Sequence, residues 1–319
     1  MPWELVPEHI RNLLYKQKYV PAGKHTGVKL CHWTKEALLR GRACYKQVFY
    51  GIQTHRCLQM SPAITWCHLR CFHCWRPSEY FLPPEDLLQH KEELDEPKTI
   101  VELAIQAQQQ IIKSFYGLVK EGRIPEERYK EAMKPNQVAI SLVGEPLIYP
   151  YMDELVKEFK ARDFTVFIVT NGMEPKYLEE MTTYPMNLYL SVHGPTKQFF
   201  GQFAKPYMPL DEAWQRLIRF VELFRELRST PVNTVYRITL IKGMNDSLLK
   251  EFARFVELGE PKYVEVKAYM AVGFSRFRLG PEYSPSHAEV RAWAEQLAAV
   301  VGYEPRKEVP ESRVVLLMG

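Results

Sequence analysis

The stretch AITWCHLRCFHCW, residues 63–75, decides the fold, because a short apolar run leads directly into a loop with three cysteines. Those cysteines, Cys67, Cys71 and Cys74, follow the pattern CxxxCxxC. Thiols this close together serve in a disulfide framework, a zinc site or an iron–sulfur cluster. The composition of the chain and the neighbouring segments distinguish among these uses.

The composition is that of a globular chain large enough for a sizeable core. Of its 319 residues, 46% are hydrophobic and 25% are charged. It shows neither the apolar run of a signal peptide nor a membrane span of roughly 18 to 20 apolar residues, so we expect a cytoplasmic protein that does not enter the membrane. Cytosolic thiols are kept reduced, which favours metal binding or catalysis over disulfides for the six cysteines. A net charge of +4 permits a polyanionic partner without requiring one.

Short strand-like runs alternate with longer helical patterns along most of the chain. The predicted strands are 63–66, 138–143, 165–170, 187–192, 235–241 and 263–269. The predicted helices are 99–120, 151–162, 174–181, 211–228, 248–258 and 286–301. Six strand–helix units predict an α/β fold with a parallel sheet and right-handed crossovers. In such sheets ligands bind at the carboxyl ends of the strands.

The alternation also divides the chain. Residues 1–60 do not fit it and are expected to form an N-terminal extension, while 61–285 form the core. Residues 286–319 add a C-terminal helix and one further strand at 313–318.

The spacing of Cys67, Cys71 and Cys74 fits an iron–sulfur cluster better than zinc. Zinc sites usually pair two CxxC knuckles, or CxxC with HxxxH, although His68 and His73 could each supply a fourth ligand. Iron–sulfur clusters are held by cysteine thiolates at short spacings, and three cysteines leave one iron open to a ligand. Three inert buried cysteines remain the alternative.

A CxxxCxxC loop after the first strand of six α/β units resembles the signature of the radical S-adenosylmethionine (SAM) superfamily. That resemblance implies a partial (β/α)6 TIM-like barrel. It also implies a 4Fe-4S cluster whose open iron binds SAM. Cleavage of SAM then yields a 5'-deoxyadenosyl radical that abstracts hydrogen from the substrate.

Three other strand ends match the superfamily. VGEPL after the second strand resembles the motif that receives the methionine amino group, since glycine permits close backbone approach and a carboxylate pairs with an ammonium. VTNG and LSVHG end the third and fourth strands, where ribose and carboxylate contacts are expected. His193 is equally well explained as a structural histidine at a strand end. The expected SAM-binding residues are Gly144, Glu145, Pro146, Thr170, Asn171, Ser191 and His193.

The remaining cysteines, Cys31, Cys44 and Cys57, are separated by thirteen residues each time. On one helix this spacing would scatter them around the axis, so converging sulfurs must come from separate segments. Three thiolates predict a second 4Fe-4S cluster with an open iron. Dispersed structural cysteines are the alternative.

Both triads together, with Lys46 two residues after Cys44, resemble the wyosine-forming tRNA enzymes, the 4-demethylwyosine synthases. The match lies in GRACYKQVFYGIQTHRCLQMSP, which leads into WCHLRCFHCWRP. The resemblance implies a lyase-class enzyme that condenses N1-methylguanosine at position 37 of phenylalanine tRNA with carbons two and three of pyruvate. The chain has no room for the flavodoxin-like domain of the eukaryotic enzymes. It therefore resembles the archaeal form, and an external electron donor and a monomer are expected.

Two further expectations concern substrates. Lys46 is close enough in sequence to the second triad to form a Schiff base with pyruvate or with an intermediate. The alternative is a surface lysine or a lysine that contacts a phosphate. Three loops mix aromatic and basic residues in the way that binds unpaired bases of an anticodon loop: KYVPAGKHTGVKLCHWTK, FFGQFAKPYMP and VGFSRFRLGPEY. A radical SAM enzyme acting on a protein or peptide, and a zinc-stabilised RNA-binding module, remain the alternatives.

Overall fold

A computed structural model describes residues 2–319, and the chain divides into two compact units. The first unit contains the residues up to Cys67, together with Leu82–Ile168 and Thr182–Pro185. The second unit contains His68–Phe81, Val169–Met181 and Met186–Gly319.

The first unit combines short strands with helices of unequal length. Its helices are α1 Glu8–Lys16, α2 His32–Arg40, α3 Tyr45–Tyr50, α4 Glu85–Leu88, α5 Pro97–Lys113, α6 Tyr116–Lys120, α7 Glu126–Ala132 and α8 Met152–Lys160. Its strands are β1 Val20–Pro21, β2 Gly27–Val28, β3 Cys57–Ser61, β4 Gln137–Ile140 and β5 Thr165–Thr170, the last two residues of β5 being counted with the second unit.

In the first unit β3, β4 and β5 are parallel, while β1 and β2 extend the sheet as antiparallel strands. Cys57 of β3 is in register with Gln137 of β4, which is in register with Thr165 of β5. The three parallel strands thus begin at the same level, so the segments that follow them leave the sheet on the same side.

The second unit continues the alternation of strands and helices. Its elements are α9 Pro175–Glu180, β6 Asn187–Val192, α10 Lys197–Ala204, α11 Leu210–Glu226, β7 Asn233–Leu240, α12 Leu249–Gly259, β8 Tyr263–Ala268, α13 His287–Val301, β9 Glu304–Val309 and β10 Val314–Met318. Strands β6, β7 and β8 are parallel, and β10 lies antiparallel between β8 and β9.

One face of each long helix packs into the core. In α11 the side chains of Leu217, Phe220 and Phe224 are buried, a spacing of three to four residues that places them on one side of the helix. In α12, Phe252 and Val256 repeat the pattern. Burying these stripes against the sheet is what stabilises the helices, since propensity alone contributes little.

The prediction for the first strand is wrong. It was placed at 63–66, whereas the strand is β3 and residues 62–66 form turns and an isolated bridge. Pro62 follows the strand and has no N–H to donate to a sheet. The run AITW is apolar because Ile64 and Trp66 are buried in the core, not because it is extended.

The other predicted strands and helices match the structure to within a few residues. The strands 165–170 and 187–192 have the predicted bounds. The predicted helix 99–120 is interrupted after Lys113 and resumes at Tyr116. Strand β9 was missed because its residues are mostly exposed and charged, as suits an edge strand. Within residues 2–319, the helices are too short or too polar to cross a membrane.

Candidate active site

The cysteines of the N-terminal triad each lie at the start of a different element. Cys31 is the N-cap of α2, Cys44 is the N-cap of α3, and Cys57 is the first residue of β3. Thiolates are favoured at helix N-termini, where unpaired backbone N–H groups provide partial positive charge. Two of the three cysteines therefore lie at helix N-termini.

Hydrogen bonds to and from neighbouring threonines join the three cysteine segments. The Cys44 N–H donates to the Thr54 hydroxyl at 3.0 Å, and the Thr54 hydroxyl donates to Gln47 Oε1 at 2.7 Å. Thr34, in the first turn of α2, donates to the Cys57 carbonyl at 3.4 Å. Each bond links one cysteine-bearing segment to another.

The three thiols and Lys46 lie within electrostatic reach of one another. Burial raises the pKa of the Cys57 thiol, and the thiols of Cys31 and Cys44 raise it further. The Lys46 ammonium acts in the opposite direction on the same group. The structure thus brings together the triad and the lysine that the sequence singled out.

Lys46 lies on α3, and its amine contacts the face of an aromatic ring. Its Nζ is 4.9 Å from the centre of the Phe167 ring, on β5. Tyr50, one turn further along α3, meets the same ring edge-on at 5.7 Å. A cation over an aromatic face is held by the electrostatic attraction of the ring, so the amine has a defined position.

The VGEP segment after β4 packs closely against the residues just before Cys67 and is hydrogen-bonded to them. Gly144 has a φ of +72°, and a Cβ there would lie 1.9 Å from the Ala63 carbonyl oxygen. The Glu145 N–H donates to the Trp66 carbonyl at 2.8 Å. Only glycine permits both this backbone conformation and this close approach.

The Glu145 carboxylate has a structural partner within its own segment. It is buried, and its Oε1 accepts a hydrogen bond from the Leu147 N–H at 3.1 Å. The bond caps the short 3-10 turn Pro146–Ile148. This capping fixes the carboxylate's position after β4.

The CxxxCxxC loop is divided between the units. In the first unit the Cys67 N–H donates to the Leu82 carbonyl at 3.0 Å. In the second unit Cys71 and Cys74 form a turn, in which the Cys74 N–H donates to the Cys71 carbonyl at 3.0 Å. Burial raises the pKa of Cys74, and nearby Arg76 opposes this rise.

The turn is held by two distant segments of the second unit. The last turn of α10 bonds to it through the backbone, with the Phe72 N–H donating to the Phe203 carbonyl at 2.8 Å. The Arg278 guanidinium donates to the carbonyls of Phe72, at 2.9 Å, and Cys74. It also pairs with Glu79. These carbonyls converge on one cation, which fixes the loop around Cys74.

The turn also contains a histidine that packs against His193. The His73 ring stacks on Phe203 at 4.9 Å and lies 5.2 Å from the His193 ring. Although His193 keeps part of its surface accessible, burial lowers its pKa to about 4. Burial, with the added effect of His193 and Arg278, lowers the pKa of His73. Both rings are therefore neutral near pH 7.

The other predicted SAM-binding residues lie at strand ends in the second unit. The Thr170 hydroxyl accepts from the Gly172 N–H at 3.1 Å, and Asn171 Oδ1 accepts from the Met173 N–H at 3.0 Å. Both side chains are buried and shape the turn after β5. Ser191 is the fifth residue of β6 and is half-buried.

The donors of the N-terminal triad are three cysteine thiols. Within residues 2–319, no group of three or more His, Cys, Asp or Glu side chains is close enough to hold one metal ion. Cysteine thiols are the donors that hold iron–sulfur clusters, so the side chains present are of the right chemical type for one.

Several residues of the site were not found from the sequence. Thr54 and Gln47 lie close to the cysteines, but threonine and glutamine at these positions are common in any turn. Arg278 lies 204 residues after Cys74, so sequence proximity gave no signal. The sequence suggests His73 only as a zinc ligand, whereas its ring packs beside that of His193.

Comparisons with known proteins cover nearly the whole chain. The radical SAM superfamily matches residues 61–256, and a family described as wyosine base formation matches residues 258–319. A protein of Pyrococcus abyssi named S-adenosyl-L-methionine-dependent tRNA 4-demethylwyosine synthase is 45% identical over 317 residues, covering 98% of this chain and 89% of that protein. A protein of the same name from Methanocaldococcus jannaschii is 36% identical over 317 residues, covering 98% and 96%.

A solved structure of TYW1 with a lysine–pyruvate adduct bound has a TM-score of 0.86 and 34% sequence identity, covering 98% of this chain and 96% of that chain. This likeness and the superfamily match confirm the predicted fold class, a partial TIM-like barrel of the radical SAM type.

Proposed function

This chain belongs to the S-adenosyl-L-methionine-dependent tRNA 4-demethylwyosine synthases of the radical SAM superfamily, and from this premise we propose how its residues act. It is an enzyme of wyosine biosynthesis that modifies tRNA and uses SAM with a 4Fe-4S cluster. The alternative of a radical SAM enzyme acting on a protein or peptide is not favoured. We assign it to the lyases, with N1-methylguanosine 37 of phenylalanine tRNA and pyruvate as its substrates.

Cys67, Cys71 and Cys74 are proposed to hold the cluster that binds SAM. Their CxxxCxxC spacing and their position inside the matched segment 61–256 support this role. When bound, the cluster supplies the electron that cleaves SAM and so starts the radical chemistry. Arg278 contributes by holding the Cys74 turn in one conformation.

SAM itself is proposed to lie along the strand ends. Gly144 allows the backbone to approach closely, and the Glu145 carboxylate pairs with the amino group. Because His193 is neutral near pH 7, it offers a hydrogen bond rather than a charge. The full set of proposed contacts is Gly144, Glu145, Pro146, Thr170, Asn171, Ser191 and His193.

The N-terminal triad is proposed to hold a second 4Fe-4S cluster. The observation that carries this proposal is the pair of hydrogen bonds that join the segments of Cys31, Cys44 and Cys57, with Lys46 two residues after Cys44. When bound, this cluster supplies an open iron that can chelate the carboxylate and carbonyl oxygens of an α-keto acid. The triad would therefore fix pyruvate next to the lysine.

Lys46 is proposed to attack the pyruvate carbonyl carbon through its Nζ, so that water leaves and a Schiff base forms. Phe167 positions the amine and shields one side of it from water. The lysine–pyruvate adduct in the related TYW1 structure supports this role. Hydrogen abstraction from the methylguanosine would leave a carbon radical that adds to the imine carbon of the tethered pyruvate. The resulting nitrogen-centred radical would expel the carboxylate carbon together with the unpaired electron, and attack by the guanine amine would then close the ring and release the Lys46 amine.

The remaining proposals concern the division of the chain into domains, its oligomeric state, its location and its electron donor. We propose that residues 1–60 carry the second cluster triad, that 61–285 form the radical SAM core, and that 286–319 complete the sheet. The enzyme is proposed to act as a cytoplasmic monomer and to receive electrons from an external donor.

Borohydride trapping tests the role of Lys46. With labelled pyruvate, the wild-type protein should become labelled, and Lys46→Ala should not, because the amine that traps the keto acid is gone. Lys120→Ala is the matched control, since Lys120 also lies over an aromatic ring, at 5.1 Å from Tyr116. It should label like the wild type. Product formation by Lys46→Ala at an undiminished rate would exclude the Schiff base.

A further inference from the structure

A loop of the second unit, residues 270–279, holds Phe277 out in solvent. Phe277 is 71% exposed, whereas Ser275 and Leu279 on either side of it are 0% and 3% exposed. The Ser275 hydroxyl donates to the Val272 carbonyl at 2.8 Å and so closes the loop on itself. A large apolar ring presented by a well-anchored loop is preorganised for contact with a partner.

The same loop is hydrogen-bonded to the cysteine loop at Trp75. The Phe274 N–H donates to the Trp75 carbonyl at 3.0 Å. At Gly273, whose φ is +59°, a Cβ would lie 2.3 Å from that carbonyl. Arg278, from the same loop, donates hydrogen bonds to the carbonyls of Phe72 and Cys74. Trp75 is itself 47% exposed, so the anchored loops present two exposed aromatic rings.

Each exposed ring has an arginine over it. The Arg76 guanidinium lies 3.6 Å from the Trp75 ring centre, and the Arg276 guanidinium lies 4.9 Å from the Phe277 ring centre. The charge of the three hydrogen-bonded segments 68–81, 199–209 and 270–279 is positive overall. Their acidic residue is Glu79, and their basic residues are Arg70, Arg76, Lys205, Arg276 and Arg278. Glu79 is paired with Arg278. The surface therefore suits a polyanion.

We propose that Trp75, Arg276 and Phe277 form the surface that receives unpaired bases of the tRNA anticodon loop. The rings stack on bases, and Arg276 contacts a phosphate. Single-stranded RNA is recognised in this way, by stacking on aromatic and arginine planes combined with backbone charge. The inference deepens the proposed function and rests on it for the identity of the RNA.

Arg278 is a positioning residue in this arrangement. It belongs to the loop that carries Phe277, and it donates to the carbonyl of Cys74. A base stacked on Phe277 is thereby held at a fixed position relative to the cysteine turn. An acidic protein electron carrier would also suit the positive charge, but it gives no reason for two exposed rings on the same surface.

Binding of folded phenylalanine tRNA carrying N1-methylguanosine 37, measured by fluorescence anisotropy on the anaerobic holoenzyme over a range of salt concentrations, tests the proposal. Phe277→Ala and Trp75→Ala should each weaken binding at least about fivefold, the loss expected for one base stack, and should leave the salt dependence unchanged. Phe277→Trp should retain affinity. Arg276→Gln should lower the slope of log affinity against log salt by about one.

Tyr116→Ala is the matched control, because Tyr116 is a 49% exposed ring with Lys120 over it in the first unit. It should bind tRNA like the wild type. Wild-type affinity in Phe277→Ala would overturn the proposal. So would unchanged tRNA affinity combined with slower cluster reduction by an acidic electron carrier, which would assign the surface to that carrier. If wild type binds tRNA and Phe277→Ala does not, yet wild type makes no tricyclic product, the surface stands and the proposed reaction fails.

Discussion

The Thr54 hydroxyl accepts a hydrogen bond from the backbone N–H of Cys44 at 3.0 Å, so a residue three positions before Cys57 fixes the start of the helix that carries Lys46. Removing the hydroxyl by Thr54→Val should cost about 1 to 3 kcal/mol, the typical cost of leaving a buried donor without its acceptor. It should also loosen the triad. Iron and sulfide analysis of the purified protein should show reduced loading of one cluster.

Thr230→Val provides the comparison for that experiment. The Thr230 hydroxyl donates to the Leu227 carbonyl at 2.7 Å in the second unit, whereas the N-terminal triad belongs to the first unit. This variant should lose stability of a similar size and keep the wild-type iron content. Equal iron content in both variants would show that the Thr54 bond has no part in holding the triad.

Gly144→Ala should be far more damaging than an ordinary glycine substitution. Its Cβ would lie 1.9 Å from a backbone oxygen that cannot swing aside, in addition to the strain of a φ of +72°. Gly122→Ala has nearly the same φ, +69°, with nothing within 4 Å of the added Cβ. We expect Gly122→Ala to cost only about 1 kcal/mol, and Gly144→Ala to lose SAM binding as well. Equilibrium dialysis with SAM and urea unfolding would separate the two effects.

The two cysteine triads should be separable by substitution. Wild type should contain about eight iron atoms, as two 4Fe-4S clusters, and Cys71→Ala should lose about half of them together with all reductive SAM cleavage. Cys44→Ala should lose the other half and still cleave SAM. Both are checked by iron analysis and by measuring 5'-deoxyadenosine. Normal SAM cleavage by Cys71→Ala would reverse the assignment of the triads.

Stability should depend on pH through the start of α13. Glu289 forms a capping box with Ser286 and pairs with Lys242, which together lower its pKa to about 2. Because the folded state favours the ionised carboxylate, the stabilisation is complete above the ordinary pKa of 4.5 and is lost as pH falls toward 2. Glu289→Gln should therefore be less stable than wild type from pH 7 to 5, and the difference should shrink below pH 4.5. Urea unfolding across this range gives the measurement.

The sequence predicted those elements whose own residues determine their structure. The strands Thr165–Thr170 and Asn187–Val192 were predicted correctly because β-branched and apolar residues alternate with clear turn signals after them. The run at 63–66 was misassigned because burial and extended structure give the same apolar pattern over four residues. The true strand, Cys57–Ser61, includes a cysteine and a glutamine and is less apolar.

The support around the cysteines could not be predicted for a different reason. Cysteines are rare residues, and the CxxxCxxC spacing is typical of iron–sulfur ligands. By contrast, Thr54, Arg278 and Phe203 act through hydrogen bonds and ring contacts that depend on how separate segments pack. Nothing in the local sequence of Arg278 distinguishes an arginine that holds the Cys74 turn from one in a solvated loop.

Isotope tracing into tRNA tests the central claim most directly. Anaerobic holoenzyme, SAM, a reductant and tRNA carrying N1-methylguanosine 37 are incubated with pyruvate labelled at carbons two and three, and the digested nucleosides are analysed by mass spectrometry. The account predicts 4-demethylwyosine that retains both labelled carbons in its third ring, and no retained label when carbon one alone is labelled. A tricyclic nucleoside without label from carbons two and three, or no new nucleoside from enzyme that cleaves SAM normally, would contradict it.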